Sequence, residues 1–492
     1  MKLKTKIISI TTKGPLIAVL NQKDAQALDI EPLDRIKITK GEKEKVVAVD
    51  IAYGNKELKP DEIGVFLDVA QEINLKNNDI VDIKVEPKPK SLHFIKKKLD
   101  KYELTKKEID EIIKDLLENK LTEVEATYFI SGCYVNGMTL DESAYLAEAI
   151  VNNSGKIKFR HRVVADVHSI GGLAGNRTTP VIVPIIAAAG LIIPKNFTRA
   201  ITSASGSADT CEVLMPVAHS KEKIMQIVKK TNGCLVWGGT LDLASADDKL
   251  IQLEKILNLD PEGILLASIL SKKSAVDSSH ILIEIPVGAE AKIQNKKEAK
   301  KLAKKFIILG NKLGMKIKVL ITDGSSPVGN GIGPALEARD VLLVLKNNGP
   351  EDLRKKSVFM AGLILEMAGI KEGHQKALKI LESGKALEKL REIIKAQGGN
   401  HNITTEKIKL GNYTYTYTSP QEGKITKISN KLVNRIAKAA GSPIDKGAGI
   451  YLHKKIKEKV NKKESLFTIY AEDKNRLRFA LREDLSKVMD IS

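Results

Sequence analysis

The sequence predicts a multidomain α/β protein with a small β-rich, barrel-like N-terminal domain, an α-helical domain, an α/β domain and a C-terminal α+β domain. Three observations carry that expectation. A weak repeat lies within the first 86 residues, three helix-start signals fall in succession between Leu92 and Asn152, and strict alternation returns at Tyr413-Thr-Tyr-Thr-Tyr-Thr418 after a long helical stretch. Strands that follow a run of helices mark a separate C-terminal domain, placed at residues 405–492.

In the N-terminal segment, Ile30-Glu-Pro-Leu-Asp34-Arg-Ile36-Lys-Ile38 is echoed by Leu75-Lys-Asn-Asn-Asp79-Ile-Val81-Asp-Ile83. Each copy places an apolar residue four positions before an Asp-containing turn, and alternating β-branched residues follow, as in a turn feeding a half-buried strand. Two copies predict a pseudo-symmetric small barrel over residues 1–86. Glu86-Pro-Lys-Pro-Lys90 then punctuates the chain as a linker. The first segment of the helical domain, residues 88–152, carries three capping boxes: Thr105 with Glu108, Thr122 with Glu125 and Thr139 with Glu142. Ile109, Ile112, Ile113, Leu116 and Leu117 recur at helical spacing and are expected in the core.

Residues 153–404 hold the α/β domain with part of the helical domain. Its first notable stretch is Asp166-Val-His-Ser-Ile-Gly-Gly-Leu-Ala-Gly-Asn-Arg-Thr-Thr-Pro180. Val163 and Val164 read as a short strand leading in, and Val181 to Leu191 as a helix closed by Gly190. A strand, a glycine-bearing turn and a helix aim backbone N–H groups and a positive dipole end at an anion. The glycines fit neither a Walker loop nor a G-x-G-x-x-G fingerprint, so a plain tight turn is an equal reading. A second run of hydroxyls follows, Phe197-Thr-Arg-Ala-Ile-Thr-Ser-Ala-Ser-Gly-Ser-Ala-Asp-Thr-Cys-Glu212, suited either to phosphate and ribose oxygens or to capping the next helix.

Asp260 before Pro261 is either a helix N-cap or an acid, and Ser268 and Lys272 lie four residues apart on one helix face. His280 to Val287 reads as a strand whose C-terminal end, Gly288 to Lys292, is where open α/β sheets place ligands. Met315 to Ile321 is another strand, and the glycine-rich Asp323 to Pro334 follows it. Helices are expected from Ala335 to Gln397, and one more near Lys431 to Ala440.

Bulk properties narrow the class. The net charge of +19 invites a nucleic-acid reading, but aromatic residues are 4% and the lysines are interleaved with Glu and Asp. No stacking platform or recognition module is visible, so nucleic-acid binding stands only as the non-enzymatic alternative. Cys133, Cys211 and Cys234 are odd in number and widely spaced, as expected of a reducing cytosol. No apolar run reaches the roughly 18 residues of a membrane span. A cytoplasmic protein without membrane partners is expected. No carboxylate, His or Cys cluster has metal-ligand spacing.

Taken together, Asp166-Val-His-Ser-Ile-Gly-Gly172, Ser205-Gly-Ser-Ala-Asp-Thr-Cys-Glu212 and Ala267-Ser-Ile-Leu-Ser-Lys-Lys273 resemble the thymidine/pyrimidine nucleoside phosphorylase family in order and spacing, over roughly residues 88–490. The resemblance implies a central mixed sheet in the α/β domain, an active site in the cleft between the first two family domains, and dimers through the helical domain. This chain departs from the family's bacterial nucleoside enzymes at two positions, having Val167 and Leu253 where they carry Lys and Arg. With the extra N-terminal domain and Thr198-Arg-Ala-Ile-Thr-Ser203, it instead looks like the branch that uses nucleoside 5′-monophosphates.

The implied reaction is phosphorolysis of AMP to adenine and ribose 1,5-bisphosphate, with CMP and UMP as further substrates. Phosphate is then a co-substrate, and no cofactor is needed. The resemblance assigns Asp260 as proton donor to the leaving base. It places Gly172, Thr198, Arg199, Ala200, Ile201, Thr202, Ser203, Ser207, Ser268 and Lys292 against the nucleotide, with His168 and Lys272 near the base. A pyrimidine nucleoside phosphorylase is the nearest alternative, and an anthranilate phosphoribosyltransferase would need an acidic metal motif that this sequence lacks.

Overall fold

A computed structural model of the chain describes residues 1–12, 14–159, 161–200, 203–240, 245–257 and 259–492. The chain divides into two compact units, Met1–Ser154 with Ala244–Ser271, and Gly155–Leu243 with Lys272–Ser492.

In the first unit, β1 (Lys2–Ile8), β2 (Ile17–Asn21), β3 (Arg35–Lys40), β4 (Lys43–Ala52), β5 (Glu62–Phe66) and β6 (Ile80–Glu86) close a barrel in the order β1-β5-β2-β4-β3-β6. The short helices α1 (Gln22–Ala27) and α2 (Leu67–Glu72) follow β2 and β5, so β2-α1-β3 and β5-α2-β6 are two copies of one unit. They interlock: β1 runs parallel to β5 and β4 parallel to β2, while β3 and β6 pair antiparallel. In each copy the turn Asp carboxylate accepts from the backbone N–H three residues earlier, Asp34 from Glu31 at 2.9 Å and Asp79 from Lys76 at 2.6 Å. The alternating apolar residues Ile36, Ile38, Val81 and Ile83 fill the barrel interior.

The helical part comprises α3 (Ser91–Leu99), α4 (Lys106–Leu117), α5 (Glu123–Asn136) and α6 (Leu140–Asn152). The later helices α10 (Ser245–Leu257) and α11 (Glu262–Ala275, through Ser271) also belong to this unit. Helices α4, α5 and α6 each begin on a complete capping box, at Thr105, Thr122 and Thr139. Lys98 and Glu142 form a buried pair at 2.7 Å, and the same carboxylate accepts from the Leu104 amide at 3.0 Å. Arg35 of the barrel bonds Glu125 and the Lys120 carbonyl, fixing barrel to helices.

The second unit is built on β7 (Ala165–Ser169), α7 (Thr179–Ala188), β8 (Ile193–Phe197), α8 (Ser207–Glu212), α9 (Lys221–Thr231), β9 (Gly233–Trp237), β10 (His280–Val287), α12 (Lys296–Lys312) and β11 (Lys316–Asp323). The strand order is β11-β10-β7, and β8-β9 joins through a Val164–Ile192 bridge. Every pairing among these strands is parallel, which corrects the mixed sheet expected from the resemblance. Helical crossovers between successive neighbouring strands bring each strand back in the same direction. The lead-in strand is also shifted: Val163 and Val164 precede it, and Asp166 to Ser169 are strand rather than loop. The helix after the loop starts at Thr179, with Pro180 in its first turn.

Helices α13 (Pro334–Leu345), α14 (Glu351–Met367), α15 (Gly373–Glu382) and α16 (Lys385–Ala396) pack with α7 in one large core that includes Ile182, Ile185, Val341, Ile364 and Ile393. The C-terminal part contains β13 (Tyr413–Thr418), β14 (Gly423–Ile428), α17 (Asn430–Ala439), β15 (Gly449–Leu452) and β17 (Ser465–Ala471), with the two-residue β16 (Lys459–Val460) between the last two. The two-residue β12 (Gly331–Ile332), from the glycine-rich segment before α13, pairs onto β15 and so joins the C-terminal sheet. Among the described residues no helix is long and apolar enough to cross a membrane.

Candidate active site

The winding of the parallel sheet reverses between β7 and β10, because β8 and β9 extend it on one side and β11 on the other. Such a switch point leaves a crevice at the carboxyl ends of the strands. Gly172 follows β7 there and Lys292 follows β10. They meet: a Cβ on Gly172 would lie 2.7 Å from the Lys292 amide nitrogen, and Gly172 has φ +92°. Only glycine permits both that conformation and that approach. Gly175 is equally committed, since a Cβ there would sit 2.1 Å from the Val328 carbonyl. The loop is held from outside by the Asn430 side chain, which accepts from the Ala174 amide at 3.1 Å, and Glu290 anchors the Lys292 loop by accepting from Ser429 and the Lys431 amide.

After β8 the chain folds tightly on itself. A Cβ on Gly206 would lie 2.5 Å from the Ala200 amide nitrogen, and the Asp209 carboxylate ties the two ends by accepting from the Ala200 and Gly206 amides at 2.8 and 2.9 Å. Arg199 makes a bidentate pair with Glu212 at 2.8 and 2.7 Å and stacks 4.7 Å over the Trp237 ring. The Arg199 guanidinium, with help from Lys446, holds the Glu212 carboxyl down at about 2. Arg199 therefore braces the loop with the side chain that the sequence assigned to the nucleotide. Thr198, Ala200 and Ser203 lie in the same loop, partly buried, while Ile201 and Thr202 lie outside the described residues.

Arg177, within the glycine loop but not singled out from sequence, joins the two hydroxyl-rich loops. It donates to Glu337 at 2.6 Å, to the Ser205 carbonyl at 2.7 Å and to the Ser207 hydroxyl at 3.3 Å. Thr210 donates to the same Glu337 oxygen at 2.6 Å, so the Ser207 turn is anchored on α13. A lone Arg in a Gly/Asn/Thr stretch was the available signal.

Under this surface lies a buried charge cluster. Asp166 is fully buried, with Lys195 at 3.0 Å on one oxygen and Lys273 at 3.1 Å on the other. Ser278 and the Val167 amide donate to the same carboxylate. Burial disfavours the carboxylate, but the two lysines outweigh it and hold Asp166 below its usual range. His168 is held well below the usual imidazole range, by burial first and then by the neighbouring Lys273, Lys195, Lys272 and Lys292. Of these four lysines only Lys272, partly buried, and Lys292, exposed, reach solvent and can add positive charge for an anion there. Asn176 and Asn196, both buried, each keep a side-chain oxygen without a hydrogen-bond partner, acceptors suited to hydroxyl or amino donors.

Asp260 and Ser268 belong to the first unit. Asp260 is exposed, two residues ahead of α11, and Ser268 is buried on that helix, its carbonyl accepting from Ser271 at 3.0 Å. Gly172, Lys292, Ser207 and the Thr198 loop belong to the second unit. Among the described residues no group of three His, Cys, Asp or Glu side chains is placed to hold a metal ion.

Parallel strands, their helical crossovers and the loops at the switch point define an α/β domain with a ligand crevice. Residues 92–154 match the helical bundle domain of a glycosyl transferase family, 161–387 that family's a/b domain, and 424–492 the pyrimidine nucleoside phosphorylase C-terminal domain. Anthranilate phosphoribosyltransferase from Thermus thermophilus shares the fold, with TM-score 0.52 and 17% identity over 62% of this chain and 98% of that one. Relatives over nearly the whole length are AMP phosphorylases. Those of Thermococcus sibiricus (43% identical, 98% of this chain and 96% of that protein), Thermofilum pendens (40%, 99% and 95%) and Methanocaldococcus jannaschii (42%, 98% and 95%) are examples. The chain belongs to the AMP phosphorylase family of enzymes.

Proposed function

We propose that this enzyme catalyses reversible phosphorolysis of nucleoside 5′-monophosphates, converting AMP and phosphate to adenine and ribose 1,5-bisphosphate in nucleotide breakdown, with CMP and UMP as further substrates. The observation that carries the reading is near-full-length identity of 40–43% to proteins named AMP phosphorylase. Lys272 and Lys292, the solvent-reaching lysines near the switch point, support it, since both substrates are anions.

A phosphate oxygen attacks the anomeric carbon as the glycosidic C–N bond breaks. The base leaves with a proton from Asp260, and an acid so placed is worth about 10²- to 10⁴-fold. Asp260 is exposed in the structure, so the role requires bound substrate to desolvate it. Gly172, the segment Thr198 to Ser203, Ser207, Ser268 and Lys292 contact the nucleotide, the backbone of the Thr198 loop rather than the Arg199 guanidinium serving there. Phosphate oriented under the sugar supplies the remaining acceleration by proximity. The chemistry is complete with phosphate as co-substrate and without a cofactor.

In this reading the chain works in the cytoplasm and assembles as a homodimer or larger homo-oligomer; the assembly is supported by Val124, Tyr128, Tyr134 and Val135 on α5, all more than half exposed. Assay of base and sugar products from AMP, CMP, UMP, uridine and thymidine with phosphate tests the reaction. Ribose 1-phosphate from nucleosides as the main product would replace it with nucleoside phosphorolysis.

A further inference from the structure

Asp166, Lys195 and Lys273 have side chains no more than 4% exposed, yet they number two amines to one carboxylate. If both amines were protonated, the cluster would hold a buried excess positive charge, which is costly unless an anion lies nearby. The groups facing it come from every element around it. They are Asp166 and His168 on β7, Lys195 and Asn196 on β8, Cys234 on β9, Lys272 and Lys273 on α11, Ser278 beyond that helix, and Lys292 after β10. Lys195 and Lys273 take opposite oxygens of the one Asp166 carboxylate, at 3.0 and 3.1 Å, so two buried amines share a single counter-charge.

We propose that Asp166, Lys195 and Lys273 form a buried proton store beneath the anion site. Without an anion the cluster carries one ammonium, one neutral amine and one carboxylate. A dianion docking at the switch-point loops above the cluster draws one proton from solvent onto the second amine. Burial pushes Lys273 down, against the opposing pull of Asp166, in the direction this requires. Lys195 and Lys273 are thus positioning residues: they raise the local positive charge only when phosphate is there to meet it. The inference rests on the phosphorolysis reading for the identity of the anion.

Sulfate is the probe, because its charge is fixed across neutral pH. Calorimetric titration of the whole chain at pH 7.5, in buffers of different ionisation enthalpy, counts the protons taken up. The wild type is expected to take up roughly 0.5 to 1 proton per sulfate. Lys195→Met and Lys273→Met each leave one lysine opposite Asp166, and uptake should fall close to zero in both. His168→Gln should retain it. Sulfate binding to the wild type without uptake overturns the proposal and needs no variant. Failure of sulfate to bind, unchanged uptake in both lysine variants, or uptake lost only with His168 also overturns it. AMP turnover is scored separately: turnover without linked uptake sinks this proposal alone, whereas linked uptake without turnover sinks the reading beneath it.

Discussion

The backbone of Gly172 approaches that of Lys292 so closely that a Cβ on the glycine would lie 2.7 Å from the lysine amide nitrogen. Two segments more than a hundred residues apart thus share one surface at the point where the sheet reverses its winding. Gly172→Ala must both hold a positive φ and displace the 291–292 backbone. We expect kcat/KM for AMP to fall at least tenfold and stability to fall by about 1–3 kcal/mol. Steady-state kinetics with urea unfolding on the same preparation checks both.

Glu337 accepts from Arg177 and Thr210, each at 2.6 Å, and is 1% exposed. Glu337→Ala leaves a guanidinium without its carboxylate and frees the Ser207 turn. Breaking such a pair costs about 3–5 kcal/mol. Chemical denaturation should show a loss in that range, together with weaker saturation by AMP in the assay.

Asp340 accepts from the Asn330 and Gly331 amides, both at 2.7 Å, and burial, only partly opposed by those bonds, raises it to about 7. Its folded-state pKa lies above the unfolded value of 3.8, so the folded chain keeps a proton that the unfolded chain releases. The contribution is present below pH 3.8 and is lost as pH rises towards about 7. Asp340→Asn retains an acceptor for both amides and removes the titration. Urea unfolding at pH 5 and pH 8 should show a smaller drop in the variant than in the wild type.

Local signals were readable where one residue type has one physical use. The capping boxes at Thr105, Thr122 and Thr139 start α4, α5 and α6, because a Thr and a Glu three residues apart satisfy two otherwise orphaned amides. Alternation located β13 and the apolar run located β10 with their bounds. Relationships across the chain were not readable. Nothing local to Arg199 says that Glu212 and Trp237 will engage its guanidinium, and nothing near Lys195 says that it will share Asp166 with Lys273. The parallel sheet was missed because strand direction depends on crossovers, not on any strand's own pattern.

Asp260→Asn tests the acid. The amide keeps the size of the side chain and removes its proton chemistry, so nucleotide binding should persist while kcat falls about 10²- to 10⁴-fold. Near-normal turnover would assign the proton to another group.

The substrate panel tests the central claim most directly. Purified enzyme with phosphate is offered AMP, CMP, UMP, uridine and thymidine, and the released base and the product sugar phosphate are both identified. The account predicts adenine and ribose 1,5-bisphosphate from AMP, with nucleosides turned over poorly. Efficient release of base from uridine or thymidine, with AMP left intact, would contradict it.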